Sequence, residues 1–184
     1  FQRDQQIQPQ NYLTKSGFDQ ASFYSDLNAA HRNLLGAEQL GWIKERVNSE
    51  SFDWTILGQQ VLMTKLKFPD LTKMLKEEDI PEFLKPYLKF LGLGIPSNLD
   101  AWDGYPADRN KLYDVMKKAN KSLISLAGDT HNAWVSELTD AQGDKIGIEL
   151  GTPSVSSPGI TDAIKLDKTK FATEIVKMNS ELNW

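Results

Sequence analysis

The sequence contains no cysteine, which excludes disulfide bonds, thiolate zinc sites and cysteine nucleophiles. It has no apolar run near the roughly 20 residues that cross a bilayer as a helix, so no membrane span is expected. A strong charge of one sign is also lacking, because the formal net charge is −4 over 184 residues. No stripe of Lys and Arg predicts a nucleic-acid-binding surface. Histidine is scarce, with two residues, which limits any imidazole-based metal site.

Hydrophobic residues make up 40% of the chain, enough for one sizeable core. No internal repeat or long linker is visible, so residues 1–184 are interpreted as one domain or a fragment of one. Residues 1–30 show little periodicity and are predicted to form an irregular polar arm, which could include a short helical turn near Phe23 and Leu27. The arm contributes no recognisable chemistry.

The remainder alternates between helical and strand patterns, which predicts an α/β (α+β) fold. Continuous or alternating apolar residues predict strands at 52–57 and 122–127 and a hairpin of 134–138 with 145–150. Apolar residues at helical spacing predict helices, and Pro106 is well placed to begin one of them. The predicted helices span 36–48, 71–78, 82–91, 106–119 and 167–178.

The most informative segment follows the apolar strand that ends at Ala127. Gly128 lets the backbone turn sharply, and Asp129 and His131 come next. Ligands of α/β folds bind at the carboxyl ends of strands, and a carboxylate with an imidazole suits zinc, iron or manganese. The alternative is a carboxylate that caps the next turn beside a surface histidine. Two ligands also fall short of the three that a catalytic zinc site typically takes from its protein.

Four motifs in order carry a family resemblance. The strand-end motif at 128–134 reads Gly-Asp-Thr-His-Asn-Ala-Trp, and it follows Arg-Asn-Leu-Leu-Gly-Ala-Glu-Gln-Leu-Gly-Trp at 32–42, Trp-Thr-Ile-Leu-Gly-Gln-Gln-Val at 54–61 and Asp-Ala-Trp-Asp-Gly-Tyr-Pro-Ala-Asp-Arg at 100–109. Together they resemble the PhoD-type alkaline phosphatases, distant relatives of the calcineurin-like metallophosphoesterases. The motifs span most of residues 32–137.

The resemblance implies a layered β-sheet sandwich flanked by helices, of the calcineurin-like metallophosphoesterase type and incomplete in this chain. It implies a site of two or more metal ions (calcium, iron, zinc or manganese) with Asp129 and His131 as ligands. The implied substrate is a phosphate monoester or diester, which metal-dependent hydrolysis would cleave. Export to the periplasm or the extracellular space is likewise implied by the family.

The sequence departs from the family pattern at its start. The family's other acidic ligands are expected upstream of Gln2, so the chain is interpreted as the C-terminal part of a catalytic domain and is expected to be inactive alone. The alternative is a non-catalytic binding or assembly module on the same scaffold. The intact pair of Asp129 and His131 favours the enzyme, since a module without chemistry would not need it.

Two further polar residues are candidates near the strand ends. Gln60 follows a strand where related enzymes place another metal ligand. Its amide oxygen suits calcium, although orienting a loop by a hydrogen bond is the simpler role. Asn132 is a candidate catalytic residue that would hydrogen-bond to substrate or to a metal-bound water.

The loop before the helix at Pro106 supplies the remaining candidates. Arg109 could grip phosphate in a bidentate manner, and the other candidates, Trp102, Asp103 and Tyr105, could line the substrate cleft. The alternative is that Asp103 caps the helix and Arg109 pairs with a carboxylate, and the pattern does not choose between them. If strands are missing upstream, we also expect an exposed apolar face or self-association through free strand edges.

Overall fold

The structure is a computed structural model. It describes residues 3–49, 51–52, 54–80, 82, 84–164 and 166–183. Asp53 and Phe83 fall inside a predicted strand and a predicted helix, and both lie outside the described residues.

A four-stranded sheet organises the chain. Its strands are arranged in the order β3 (Thr55–Gly58), β4 (Leu123–Ala127), β6 (Lys145–Gly151) and β5 (Trp134–Thr139). The first three are parallel, and β5 runs antiparallel to β6. The carboxyl ends of the parallel strands therefore meet at one edge of the sheet, the edge where such sheets bind ligands. The predicted strands are confirmed, although the first begins only at Thr55.

Three predicted helices are confirmed, and two of them lie under the sheet. Helices α2 (Ala37–Ser49) and α4 (Pro106–Lys118) contribute buried residues to the same hydrophobic core as β4. This core covers one face of the sheet. Helix α6 (Lys168–Met178) begins at a cap in which the Lys170 N–H donates to Asp167, and it packs into a second cluster. The mixed α/β class is thus confirmed.

The two shorter predicted helices are reduced. The segment predicted as a helix at 71–78 forms two 3₁₀ turns, Leu71–Lys73 and Glu77–Asp79. The segment predicted at 82–91 contains α3 (Lys85–Leu91). Pro86 lies in the first turn of α3, where its missing N–H removes no helical hydrogen bond, so it starts the helix and does not break it.

The N-terminal arm is more regular than the expected irregular segment. It forms a two-stranded hairpin, β1 (Leu13–Thr14) with β2 (Gly17–Phe18), followed by α1 (Gln20–Leu27). Phe23 and Leu27 are buried in a cluster of aromatic and aliphatic side chains from the arm and from residues 90–99. The short helical turn predicted near Phe23 and Leu27 is confirmed as α1, which packing against residues 90–99 stabilises.

The opposite face of the sheet is largely apolar and exposed, although Glu137 of β5 pairs with Ile148 on it. Strand register aligns Ile56, Ile124 and Ile148 in one row and Leu126, Leu150 and Val135 in another, all on the same face. We call these six residues the outer face. Ile56 is 61% exposed, and Leu126, Ile148 and Leu150 are also exposed. The second layer of the predicted sandwich thus does not cover this face within the described part of the chain.

The two sheet edges differ. The edge at β5 is partly closed, since the Asn183 N–H donates to the Val135 carbonyl and the Glu137 N–H donates to the Glu181 carbonyl. The edge at β3 borders the exposed side chains of Trp54 and Trp42. None of the helices in the described ranges is both long and apolar enough to span a membrane.

Candidate metal site at the carboxyl ends of the strands

Asp129 and His131 lie in the loop that leaves the carboxyl end of β4, between the ends of β3 and β6. Both side chains are exposed and neither is drawn into the core. Both backbones are left-handed, with φ of 71° at Asp129 and 59° at His131. Asp and His tolerate this region better than most residues, and such conformations cluster at functional sites. The loop therefore presents both predicted ligands to solvent at the ligand-binding edge.

Hydrogen bonds from neighbouring elements brace this loop. Its first residue, Gly128, donates its N–H to the Gln60 carbonyl at 3.1 Å, which joins the ends of β3 and β4. The Trp134 indole N–H donates to the Thr130 hydroxyl at 2.7 Å. Asn132 donates to the Thr130 carbonyl at 2.8 Å and accepts from the Ile160 N–H at 3.3 Å, at the start of helix α5 (Ile160–Ala163).

These contacts define what the two polar candidates do in the structure. Asn132 uses both ends of its amide to hold the loop and α5 together, so its predicted contact with substrate stays a prediction. Gln60 contacts the loop through its backbone carbonyl, and the residue is exposed. Its position at the end of the neighbouring strand is the predicted one, and metal ligation by its amide oxygen stays a prediction.

A cavity of about 210 Å³ adjoins the loop. Thr130 and Asn98 line it, and the Asn98 amide lies 3.4 Å from the Asp129 carboxylate. Alternate residues of 62–68, the stretch that follows β3, also line it, together with the buried side chain of Asp103. The site is therefore an exposed pair of candidate ligands beside a small cleft.

The four candidates from residues 102–109, of which Arg109 lies in the first turn of α4, are buried in the core, and Asp103 also lines this cleft. Arg109 and Asp103 form an ion pair at 2.8 Å, with side chains only 5% and 8% exposed. Burial alone would lower the pKa of Arg109, but the Asp103 carboxylate outweighs it and raises the pKa, so the guanidinium stays charged. Trp102 and Tyr105 are fully buried.

Each of these buried side chains has partners within the protein. The Asp103 carboxylate accepts from the Leu66 N–H at 2.7 Å, and it does not cap α4. The Tyr105 hydroxyl donates to the Asp4 carbonyl at 2.7 Å, while the Arg32 guanidinium lies 4.9 Å from its ring centre. Arg109 pairs with a carboxylate, as the structural alternative expected. Substrate contact by these four residues stays a prediction, and their present contacts do not supply it.

The donor types fit a metal ion, but their number is too small. A carboxylate and an imidazole on one braced loop match the ligands of zinc, iron or manganese. In the described part of the chain, however, no three His, Cys, Asp or Glu side chains gather into a metal-binding group. A multinuclear site would therefore need ligands from outside these residues.

Sequence reasoning missed one polar residue close to this site. Glu149 lies in β6 and is fully buried, although alternation in the predicted hairpin did not single it out. Strand register aligns it with Ser125 of β4 and Ser136 of β5, which form a polar row on the covered face. Ser125, within the predicted apolar strand, was the available signal, because a buried hydroxyl requires a partner and that of Ser125 donates to Glu149 at 2.9 Å.

Comparison with known proteins agrees with the motifs. A family model described as PhoD-like phosphatase matches residues 1–184. The chain is 27% identical over 159 residues to alkaline phosphatase D of Bacillus subtilis (strain 168), covering 84% of this chain and 23% of that protein. A solved structure titled "Structure of PhoD" shares its fold, with a TM-score of 0.62 and 24% identity over 87% of this chain and 27% of that one.

The chain thus spans about a quarter of the length of these two relatives. The family match runs through all four motifs, including the loop of Asp129 and His131. On this match, the chain belongs to the PhoD-like phosphatase family.

Proposed function

We propose that the chain is the C-terminal part of a metal-dependent phosphoesterase domain and that it contributes Asp129 and His131 as ligands. The supporting observation is the braced loop that presents both side chains to solvent at the carboxyl end of β4. Phosphate monoesters or diesters are the proposed substrates. A bound metal ion would polarise the phosphoryl oxygens and lower the pKa of a bound water.

The protein's own residues have supporting roles in this proposal. Asn132 holds the loop against α5, and the backbone of Gln60 holds it against the end of β3. Gln60 is also the proposed additional ligand, through an amide oxygen suited to calcium. The buried pair of Asp103 and Arg109 supports the cleft, which Asp103 lines.

The remaining ligands would come from polypeptide outside these 184 residues. Two protein ligands leave most of the coordination sphere to water, so the chain alone should bind a metal ion weakly and hydrolyse phosphate esters slowly. The metal could be calcium, iron, zinc or manganese. Export to the periplasm or beyond is part of the same proposal and rests on the family.

We also propose that the outer face is covered in use and that isolated copies of the chain associate through it. The support is the set of exposed aliphatic side chains Ile56, Ile148 and Leu150 on one face of the sheet, of which Ile56 lies on the edge strand β3. Soluble monomers seldom leave an apolar patch beyond a few hundred Å² bare. Folding together with further polypeptide would cover the same face.

The two histidines of the chain provide a matched test of the site. We expect titration with Mn²⁺ to broaden the imidazole NMR signals of His131 and not those of His31, which is exposed and lies outside the strand-end motif. His131→Gln should abolish Mn²⁺-dependent broadening of the loop amides, whereas His31→Gln should leave it unchanged. Asp129→Asn should act as His131→Gln does.

Activity is measured in parallel with a chromogenic phosphate monoester and diester. Low turnover in the wild-type chain is the expected result. Equal broadening at both histidines, or none at His131, would remove the metal site from the proposal and favour the binding-module alternative. A tightly bound stoichiometric metal with rapid turnover would contradict the proposed need for further ligands.

A further inference from the structure

A segment without regular secondary structure runs from Leu62 to Lys67, and its main chain is held almost wholly by side chains from elsewhere. We call it the 62–67 segment. Five consecutive N–H groups, those of residues 63–67, each donate to a side-chain oxygen. The acceptors are Glu149 for Met63 and Thr64 (2.8 and 2.9 Å), Glu181 for Lys65 (2.9 Å), Asp103 for Leu66 (2.7 Å) and Asn179 for Lys67 (2.7 Å).

Four of the six carbonyl groups of the segment also accept hydrogen bonds, and that of Leu62 does so from the Trp102 N–H at 3.3 Å. Arg109 donates to the Met63 carbonyl at 2.8 Å, and the Asn179 amide donates to that of Lys67 at 2.8 Å. The Ser97 N–H donates to the Leu66 carbonyl at 2.8 Å. Buried backbone groups need partners, and here side chains supply what a strand or helix would otherwise supply. The segment's path therefore depends on distant residues.

This path forms one wall of the cleft beside Asp129. Leu62, Thr64 and Leu66 line the 210 Å³ cavity together with Asn98 and Thr130. Two residues before the segment, the Gln60 carbonyl accepts from Gly128 at the base of residues 128–132, which we call the ligand loop. A shift of the 62–67 segment would therefore reach the ligand loop through the contact between residues 60 and 128, and it would also change the shape of the cavity that Thr130 lines.

Glu149 accepts from Met63 and Thr64, which are the first two of these five amides after the end of β3. Its carboxylate is fully buried and accepts from two consecutive amides, from the Thr64 hydroxyl at 2.6 Å and from the Ser125 hydroxyl at 2.9 Å. All of these donors are neutral groups. Ser125 lies in β4, two residues before its end, so Glu149 ties the segment to the strand that delivers Asp129 and His131.

We propose that Glu149 is a positioning residue for the metal site, in that it fixes the 62–67 segment and through it the ligand loop. The proposal rests on the proposed function only for the identity of the site. The geometric part, that Glu149 orders the ligand loop, stands on the metal-free chain. Residues that hydrogen-bond directly to metal ligands typically change metal affinity by about 10–100-fold when they are replaced. Glu149 acts one step further from the metal, through Ser125 and the 62–67 segment, so we expect the lower end of that range.

Glu149→Gln tests this with little change in volume. One of the two oxygens that accept from the Met63 and Thr64 amides becomes an NH₂ group, which cannot accept, so the hydrogen bonds on that side are lost. In the metal-free chain we expect faster hydrogen exchange at the amides of Met63 and Thr64, together with NMR shift changes in residues 128–132. In the Mn²⁺ titration we expect broadening at His131 to need about tenfold more metal.

Asp108→Asn is the matched control. Asp108 is likewise buried and accepts from two consecutive amides, those of Leu34 and Leu35, at 2.9 Å each. Asp108→Asn should speed hydrogen exchange at the amides of Leu34 and Leu35. It should leave the NMR shifts of the ligand loop and the Mn²⁺ concentration that broadens His131 unchanged. A general loss of stability would affect the two variants alike, so only a positioning role predicts the difference.

A milder variant covers the case in which Glu149→Gln does not fold. Thr64→Val removes one donor to Glu149 and keeps both backbone bonds, so it should change the same signals in the same direction by less. Unchanged signals at 128–132 in a folded Glu149→Gln or Thr64→Val chain would overturn the proposal. Absent broadening at His131 in the wild type would instead refute the metal site, while the metal-free signals would still decide the role of Glu149.

Discussion

The buried ion pair between Arg109 and Asp103 allows one prediction to be worked through in detail. Arg109→Ala removes a guanidinium that bonds to Asp103 and to the Met63 carbonyl, each at 2.8 Å. It leaves the carboxylate buried at 8% side-chain exposure without its cation. Breaking a buried pair by removing one partner costs about 3–5 kcal/mol. Because the Leu66 N–H still donates to Asp103, we expect the lower end of that range.

The assay is thermal unfolding followed by circular dichroism. For a chain of this length, 1 kcal/mol corresponds to about 2–4 °C in Tm, so a loss near 3 kcal/mol lowers Tm by roughly 6–12 °C. Arg46→Ala is the control, because the Arg46 guanidinium lies 5.9 Å from the ring centre of the exposed Trp42. That change should cost well under 1 kcal/mol, as surface substitutions usually do.

A double variant separates the ion pair from simple loss of packing. Asp103→Asn combined with Arg109→Met removes both charges but keeps an acceptor for the Leu66 N–H, so it should be more stable than Arg109→Ala alone. A Tm for Arg109→Ala within 2 °C or so of the wild type would refute the reasoning. Such a result, together with weaker phosphate binding, would support the substrate role predicted from the sequence.

Further predictions concern acid stability and the outer face. Burial raises the pKa of Glu181, but hydrogen bonds from Lys65 and Thr139 outweigh it and leave the pKa below its ordinary value of 4.5. The stability that this carboxylate contributes is present above pH 4.5 and is lost as the pH falls through its lower folded-state pKa. Glu181→Gln should therefore weaken the pH dependence of the unfolding free energy between pH 6 and 3. An unchanged dependence would contradict this. Ile148→Lys places a charge on the outer face and should lower the mass measured by light scattering toward that of a monomer. Lys118→Ala, on α4 outside that face, should leave the mass unchanged. A mass unchanged by Ile148→Lys would locate the interface elsewhere.

The position of the two candidate ligands at the end of β4 was predictable because its signal is local. One stretch of sequence contains a continuous apolar strand and then Gly128, Asp129 and His131. Neighbouring residues therefore indicate both where the strand ends and which side chains follow it. Period-two and period-3.6 patterns likewise located β4, the hairpin of β5 with β6, and helices α2, α4 and α6. Short elements such as β1 and β2 gave too few repeats to be read in this way.

The loop of Trp102, Asp103, Tyr105 and Arg109 shows the limit of the same reasoning. Acidic, aromatic and basic residues in a turn are typical both of a substrate cleft and of a buried polar brace. Which of the two applies depends on what lies opposite, and here that is the backbone of residues 63 and 66. Those residues are about 40 positions away, so no local pattern carries the information.

The sequence by itself determined the family motifs, the strand that ends at Ala127 and the two candidate ligands, because each is encoded by neighbouring residues. Only the tertiary structure decided that Glu149, Glu181, Asp103 and Asn179 converge on five consecutive amides of one segment. The physical reason is that a buried carboxylate must find donors wherever the fold places them. Its partners are chosen by packing in three dimensions and not by spacing along the chain.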